Sequence, residues 1–354
     1  MLRLAGKFLR SRNGSLIPIF AIGMIPIVAA VGLSVDYTTA VTDRGNMQDA
    51  LDAATLGIMT LPTTTTLTAR QQSLSDQFTA NNGQGAATLN SFTVAADGTA
   101  TANTSASYAM PTNFMQVAAV STVQIGVSTS VTKTPALVQA TFKLDKASGW
   151  WNKTIYLWGT QFGATTAQKL MQITYTYNGY GDPKGYGTTT AYTINGSTTT
   201  MVQKQVCTTG TLKNLQKSLP TGAVIQTDAY GTTYYCTNTF YPSTGVGAAI
   251  DVSQMGQLYL EMDVPSGSPT VLKSNDPATS DRLFIGTAEN NMPEIPAGQT
   301  VDIFTAVPCG QTAYQAWEDG GSAVPEDVSQ ADFFYTVTGK CDFNQRPSQT
   351  VLAQ

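Results

Sequence analysis

The sequence predicts an α+β fold: a long N-terminal transmembrane helix that continues into a small α+β unit, followed by a mainly-β, sandwich-like module. Three observations predict it. Residues 15–35 contain no charged side chain. Apolar residues then recur with a helical period as far as Ile58. From residue 136 onward, short apolar and aromatic runs are separated by Gly, Pro, Asn and Asp clusters.

The uncharged stretch is long enough to span. At about 1.5 Å per residue, residues 15–35 rise about 30 Å, the hydrocarbon thickness of a bilayer. Arg3, Lys7, Arg10 and Arg12 precede the stretch with no acidic residue among them, whereas Asp36, Asp43, Asp49 and Asp52 follow it against Arg44 alone. Basic flanks are retained on the cytoplasmic side. Residues 1–14 are therefore expected as a cytoplasmic basic leader, 15–35 as a transmembrane helix, and the remainder outside. A cleaved signal peptide is the competing reading, with Val28-Ala29-Ala30 as an imperfect small-residue site. The apolar stretch is longer than a usual signal core, which favours the uncleaved anchor.

Residues 36–60 are expected to extend the helix beyond the membrane. Met47, Leu51, Ala54 and Ile58 form an apolar stripe on one face, suited to packing against the rest of the same domain. Pro18 and Pro26 fall in the span, where proline is tolerated better than in water. Leu61-Pro62 and four threonines end the helix. A short helix over 68–81, carrying Leu74 and Phe78, stops at Asn81-Asn82-Gly83. Strands over 88–95 and 100–108 are joined at Asp97-Gly98, a strong hairpin signal. A short amphipathic helix over 111–119 and a half-buried strand over 122–132 complete an α+β unit at 61–135. In the β-rich module, 136–354, strands are expected at 154–158, 257–261 and 333–337. The clearest turn there is Asn178-Gly179-Tyr180-Gly181, followed by Asp182-Pro183.

All four cysteines, Cys207, Cys236, Cys309 and Cys341, fall in that module. An even number in a segment expected outside the cytoplasm implies two disulfides. Three pairings are open. Cys207 with Cys236 and Cys309 with Cys341 close the shortest loops, each stabilising by about 3 kcal/mol in the chain-entropy picture. Zinc is disfavoured, because there is no Cys-x-x-Cys spacing and no histidine in the chain. The absence of histidine also removes the commonest general base and the histidine-dependent nucleophile arrangements. No enzyme, cofactor or metal site is expected. From residue 251 onward there are 14 acidic and 4 basic residues, a surface that disfavours nucleic acid.

Asp36, at the membrane boundary, is a candidate contact with a basic group of a partner, although facing water is its simpler placement. Gly23 and Gly32 lack the four-residue register of a helix-packing motif and are expected to face lipid. Asn275, Asp276, Asp281, Glu289, Asn290 and Asn291 are rich in oxygen but lack the spacing of a calcium loop, so solvated turns are favoured. Trp150, Trp151, Tyr156 and Trp158 form either a sugar- or peptide-binding patch or, for at least two of them, sandwich core. The adjacent carboxylates Glu318-Asp319 and Glu326-Asp327 are poorly placed to converge as acid and base.

Several of these features together resemble the N-terminal region of TadE/TadG-like Flp (tight adherence) pilus-assembly proteins. They are the basic leader, Arg12-Asn13-Gly14-Ser15, the span with Pro26, the exit Val31-Gly32-Leu33-Ser34-Val35-Asp36-Tyr37, and Met47-Gln48-Asp49-Ala50-Leu51-Asp52-Ala53-Ala54. The order of elements through 111–115 and 123–131 fits as well, making 61–135 a pilin-like unit. Thr300-Val301-Asp302-Ile303-Phe304, Ala316-Trp317-Glu318-Asp319-Gly320 and Asp332-Phe333-Phe334-Tyr335 are similar in flavour to TadG-like C-terminal regions. The resemblance implies a single-pass protein of the bacterial inner membrane with a periplasmic domain, a role in pilus assembly through protein contacts, and pilus-assembly or pilin subunits as partners. Its alternatives are a minor pilin or pseudopilin within the filament, and a membrane-tethered carbohydrate-active or adhesive β-sandwich protein. The fifth residue after Gly14 is Ile19 where pseudopilins carry Glu, so processing at Gly14 is not expected. Leu144-Asp145-Lys146-Ala147-Ser148 lacks the Asp-x-Ser-x-Ser spacing of a von Willebrand factor A metal site.

Overall fold

The computed structural model describes residues 16–180, 186–228, 231–320, 328–346 and 350–353. The basic leader, Gly14, the turn residues 181–183 and the pair Glu326-Asp327 lie outside the described residues. The chain divides into two compact units. The first comprises residues 1–134 and 347–354, and the second residues 135–346.

The first unit begins with α1 (Leu16–Ile58), 43 residues of unbroken helix with Pro26 inside it. It is the one helix among the described residues long and apolar enough to cross a membrane. Its two halves have opposite surroundings. Phe20, Ile22, Ile25, Ile27, Val28 and Val31 are more than half exposed, whereas Met47, Leu51, Ala54 and Ile58 are at most 1% exposed. The apolar stripe of the second half therefore packs within its own unit, against a short helix and a sheet.

That helix is α2 (Leu67–Ala80), capped by Thr66 Oγ1, which accepts from the Ala69 amide at 3.2 Å. It buries Leu74 and Phe78 and ends where Asn82 takes a left-handed φ of 65°. Strands β1 (Ala86–Val94), β2 (Ala100–Pro111) and β3 (Thr122–Lys133) follow as an antiparallel meander. Gly98, at φ 85°, makes the β1–β2 turn, as an Asp-Gly hairpin requires. The helix expected over 111–119 is only a 3₁₀ turn, Met115–Ala118, because Pro111 ends β2 in extended geometry and does not start a helix.

The second unit contains β4 (Ala136–Ala147), β5 (Lys153–Gln161), β6 (Gln168–Tyr180), β7 (Tyr186–Asn195), β8 (Thr198–Thr209), helix α3 (Leu212–Ser218), β9 (Gln226–Thr227), β10 (Thr233–Phe240) and β11 (Ala248–Asp251). It continues with β12 (Met255–Asp263), β13 (Val271–Lys273), β14 (Leu283–Gly286), helix α4 (Ile303–Ala306), β15 (Thr312–Trp317) and β16 (Phe333–Asp342). An eight-stranded sheet runs β13-β12-β5-β6-β7-β8-β10-β9, and a five-stranded sheet runs β11-β4-β16-β15-β14. Alternate residues of both sheets enter one core. Ile155, Leu157, Ile173 and Leu260 from the first sheet meet Phe142, Leu144, Trp317, Phe333 and Val337 from the second. Two faces sharing one apolar layer make a sandwich. Asn178 and Gly179 fall inside β6, at an irregularity between Tyr177 and Tyr180, and not in the expected turn.

The last strand, β17 (Thr350–Ala353), corrects the expected boundary of the β-rich module. It pairs antiparallel with β3, so the sheet of the first unit runs β1-β2-β3-β17. An unpaired edge of β3 would leave backbone donors and acceptors open, and these four residues occupy its last four positions, Ser130 to Lys133.

Candidate functional site

Asp36 is where the exposed half of α1 gives way to the packed half. The sequence suggested a partner-facing or water-facing carboxylate, and the structure corrects both readings. Asp36 is 2% exposed. Its Oδ1 accepts from the Asn113 amide at 3.0 Å, and its Oδ2 accepts from the amides of Phe114 at 2.9 Å and Met115 at 2.7 Å. These three successive N–H groups open the 3₁₀ turn at Met115, a backbone concavity suited to an anion. Gly32, one helical turn earlier, lies directly beneath Phe114; a Cβ there would meet the Phe114 Cβ at 2.6 Å. Gly32 thus permits close approach of the unit's own 112–121 loop and does not face lipid. Tyr37 is 71% exposed beside this clasp, where an aromatic with a polar tip suits a membrane interface.

The far end of α1 is held by residues that the sequence pattern did not single out. Arg70 of α2 is fully buried and donates to the carbonyls of Ile58 and Pro62, the latter at 2.7 Å, while its guanidinium stacks 4.0 Å from the Phe92 ring. Lys133 of β3 is also buried and donates to the Met59 carbonyl at 3.1 Å. Two cations at the carbonyl end of a helix complement its dipole. Burial pushes the Lys133 ammonium down to about 8, with the charge of Arg70 adding to the effect. Between the two ends, Thr55 and Thr104 hydrogen bond at 2.7 Å, and Asp52 accepts from Gln48 at 2.8 Å and from Thr129.

In the second unit, Cys207 bonds to Cys236 across the adjacent strands β8 and β10, and Cys309 bonds to Cys341 of β16. The tryptophans expected in the core are not there. Trp150 and Trp151 are exposed, and Trp158 is half-buried, stacked on Tyr259 at 6.2 Å between ring centres. The buried tryptophan is Trp317. Strand alternation explains the difference, since Lys153, Ile155 and Leu157 take the inward positions of β5 and leave Tyr156 and Trp158 outward. In the oxygen-rich stretch, Asp276 accepts from the Ala278 amide of its own turn at 3.0 Å. A cleft of about 500 Å³ is lined by residues including Asp145, Lys146, Tyr186, Asp228, Tyr234 and Glu289.

The acidic pair at 318–319, expected to be poorly placed to converge, is joined by a third carboxylate from another element. Glu318, Asp319 and Asp332 bring carboxylate oxygens within 4.8 Å of one another, and the Lys153 side chain, with no exposed surface, reaches Asp319 and Asp332. Its Nζ lies 2.8 Å from Asp332 Oδ2, contacts Asp319 Oδ2, and donates to the Ser148 carbonyl at 3.0 Å. The Tyr175 ring stands 5.5 Å from the ammonium, and its hydroxyl donates to the Gly149 carbonyl at 2.8 Å. Gly149 adopts φ 106°, and a Cβ on it would lie 2.7 Å from Lys153 Nζ, so only glycine fits. Burial pushes the Asp319 carboxyl up to about 6; Lys153 opposes this and Asp332 adds to it. Lys153 itself is held above its usual range, its burial outweighed by the charges of Asp332 and Asp319.

A helix long and apolar enough to cross a membrane, exposed in its first half and packed against an antiparallel sheet in its second, defines the class of proteins that carry a head on such a helix. Within that class, residues 14–57 match the family described as Putative Flp pilus-assembly TadE/G-like, and residues 16–57 of that segment lie in α1. No curated protein and no solved structure matches the chain.

Proposed function

We propose that this protein is a single-pass component of Flp (Tad)-type pilus assembly in the bacterial inner membrane, with residues 1–14 cytoplasmic and everything beyond Asp36 periplasmic. It works through contacts with other pilus-assembly or pilin subunits and turns over no external substrate. The observation that carries this reading is the coincidence of the TadE/G-like segment with α1, whose uncharged half is exposed over residues 22–31 while its second half is built into the head. The charge asymmetry about residues 15–35 supports the orientation.

A second reading, a minor pilin, draws on the same helix, because an exposed apolar half-helix on an antiparallel-sheet head is also suited to packing in a filament. Immunoblots of membrane and sheared-pilus fractions from the native host separate the two. Full-length protein confined to the membrane supports the assembly component, and a shortened form in sheared filaments supports the pilin. Protease added to spheroplasts is expected to digest the chain beyond residue 36; digestion only after lysis would reverse the orientation.

A further inference from the structure

We propose that Lys153 and Asp319 condense to an intramolecular amide, with Asp332 as the proton shuttle, so that the two sheets of the β-sandwich are joined covalently. The proposal stands on the second unit alone and is independent of the pilus reading.

The residues come from three elements that converge at one end of the sandwich. Lys153 is the first residue of β5, in the eight-stranded sheet. Asp319 lies just beyond β15, and Asp332 just before β16, neighbours in the five-stranded sheet. The site is enclosed: the lysine side chain has no exposed surface, and each aspartate side chain is 7% exposed. The Asp332 backbone is fixed from both sides, its amide donating to the Trp317 carbonyl at 2.9 Å and its carbonyl accepting from the Ser148 amide at 2.8 Å. Trp151 stands over Gly320 beside Asp319, 3.2 Å from where a Cβ would be. A buried ion pair of this kind is a poor stabilising device compared with apolar packing. A lysine held against two carboxylates, one of which takes up a proton more readily than an ordinary aspartate, is instead a set of reactants fixed at contact distance.

The chemistry balances without an outside reagent. A proton passes from the Lys153 ammonium to the Asp319 carboxylate, giving an amine and a carboxylic acid. Nζ attacks Asp319 Cγ to form a tetrahedral centre. Asp332 accepts the proton shed by the attacking nitrogen and returns it to the departing hydroxyl. One water leaves, the N–C bond forms, a C–O bond breaks, and nothing is oxidised or reduced. Exclusion of bulk water favours loss of the product water, while the two aspartates hold Lys153 in its ammonium form, so the opening proton transfer is the uphill step. The reaction occurs once per chain, so a slow step suffices.

The test is peptide mass spectrometry of the full-length protein, purified in detergent from its native membrane, reduced, alkylated and digested with trypsin. The expected product joins the peptide 147–169, uncleaved at residue 153, to the peptide 283–340, and is one water lighter than their sum. Separate recovery of peptides 147–153 and 154–169 with no joined species would overturn the proposal and leave an ordinary buried ion pair. Two variants locate the bond. Asp332→Asn should leave the chain unjoined, and joining at the wild-type level would remove Asp332 from the mechanism. Asp319→Asn should give a joined peptide of the same mass as wild type, because ammonia leaves in place of water. A joined peptide one mass unit lighter would place the bond elsewhere and overturn the assignment of Asp319.

Discussion

Lys133 presents the sharpest energetic question at the scale of a single residue. Its ammonium is buried against the Met59 carbonyl near a second cation, Arg70, and is held at about 8 against an ordinary value of 10.5. Below about pH 8 the lysine is charged in both the folded and unfolded states, and the folded state bears the full cost of burying that charge. Between about 8 and 10.5 the unfolded chain keeps the proton and the folded chain does not, so this group's contribution to stability rises with pH. Thermal melts of wild type and Lys133→Met from pH 7 to 10.5 should show the wild type gaining relative to the variant across that window; parallel curves would contradict it. Neither Lys133 nor Arg70 was legible in the sequence. A lysine at the end of a strand and an arginine in a polar helix look like solvated residues, and only the tertiary fold brings the carbonyl end of α1 over them.

At the scale of elements, α1 shows what periodicity can and cannot reveal. The stripe Met47, Leu51, Ala54 and Ile58 was legible because residues on one helix face recur by a rule internal to the helix, and each is buried. The Asp36 clasp was not legible, because its three donors lie 77 to 79 residues further along and an isolated aspartate beside an apolar run carries no sign of them. Asp36→Ala is expected to free the 113–115 amides. Hydrogen exchange of full-length protein in detergent should then show faster exchange at those three positions, with little change at the distant β1–β2 hairpin. Uniformly faster exchange across the first unit would mean that the clasp supports the whole unit and not the loop alone. The strands of the second unit were legible from alternation, but their grouping into sheets was not, since pairings such as β4 with β16 span most of the unit.

At the scale of the whole molecule, the division into two units was only partly legible: four residues, Thr350 to Ala353, are too short a run to reveal which sheet they join. The cysteines show how composition limits the compartment in which the chain is stable. The two disulfides separate residues by 29 and 32 positions, and loops of that length are worth about 3 to 4 kcal/mol each in the chain-entropy picture. Calorimetry with and without reductant should therefore show a large fall in the melting temperature of the second unit and a small one in the first. Equal falls in both would mean that the units do not unfold independently.

The pairing of β17 with β3 sets the order of events during synthesis. Residues 135–346 separate β3 from β17 in the chain, so a polypeptide made from its N-terminus holds α1 and three strands of the first sheet long before the fourth exists. Throughout that interval β3 is an open edge, available to any strand nearby. The first unit is thus the first to begin folding and the last to finish.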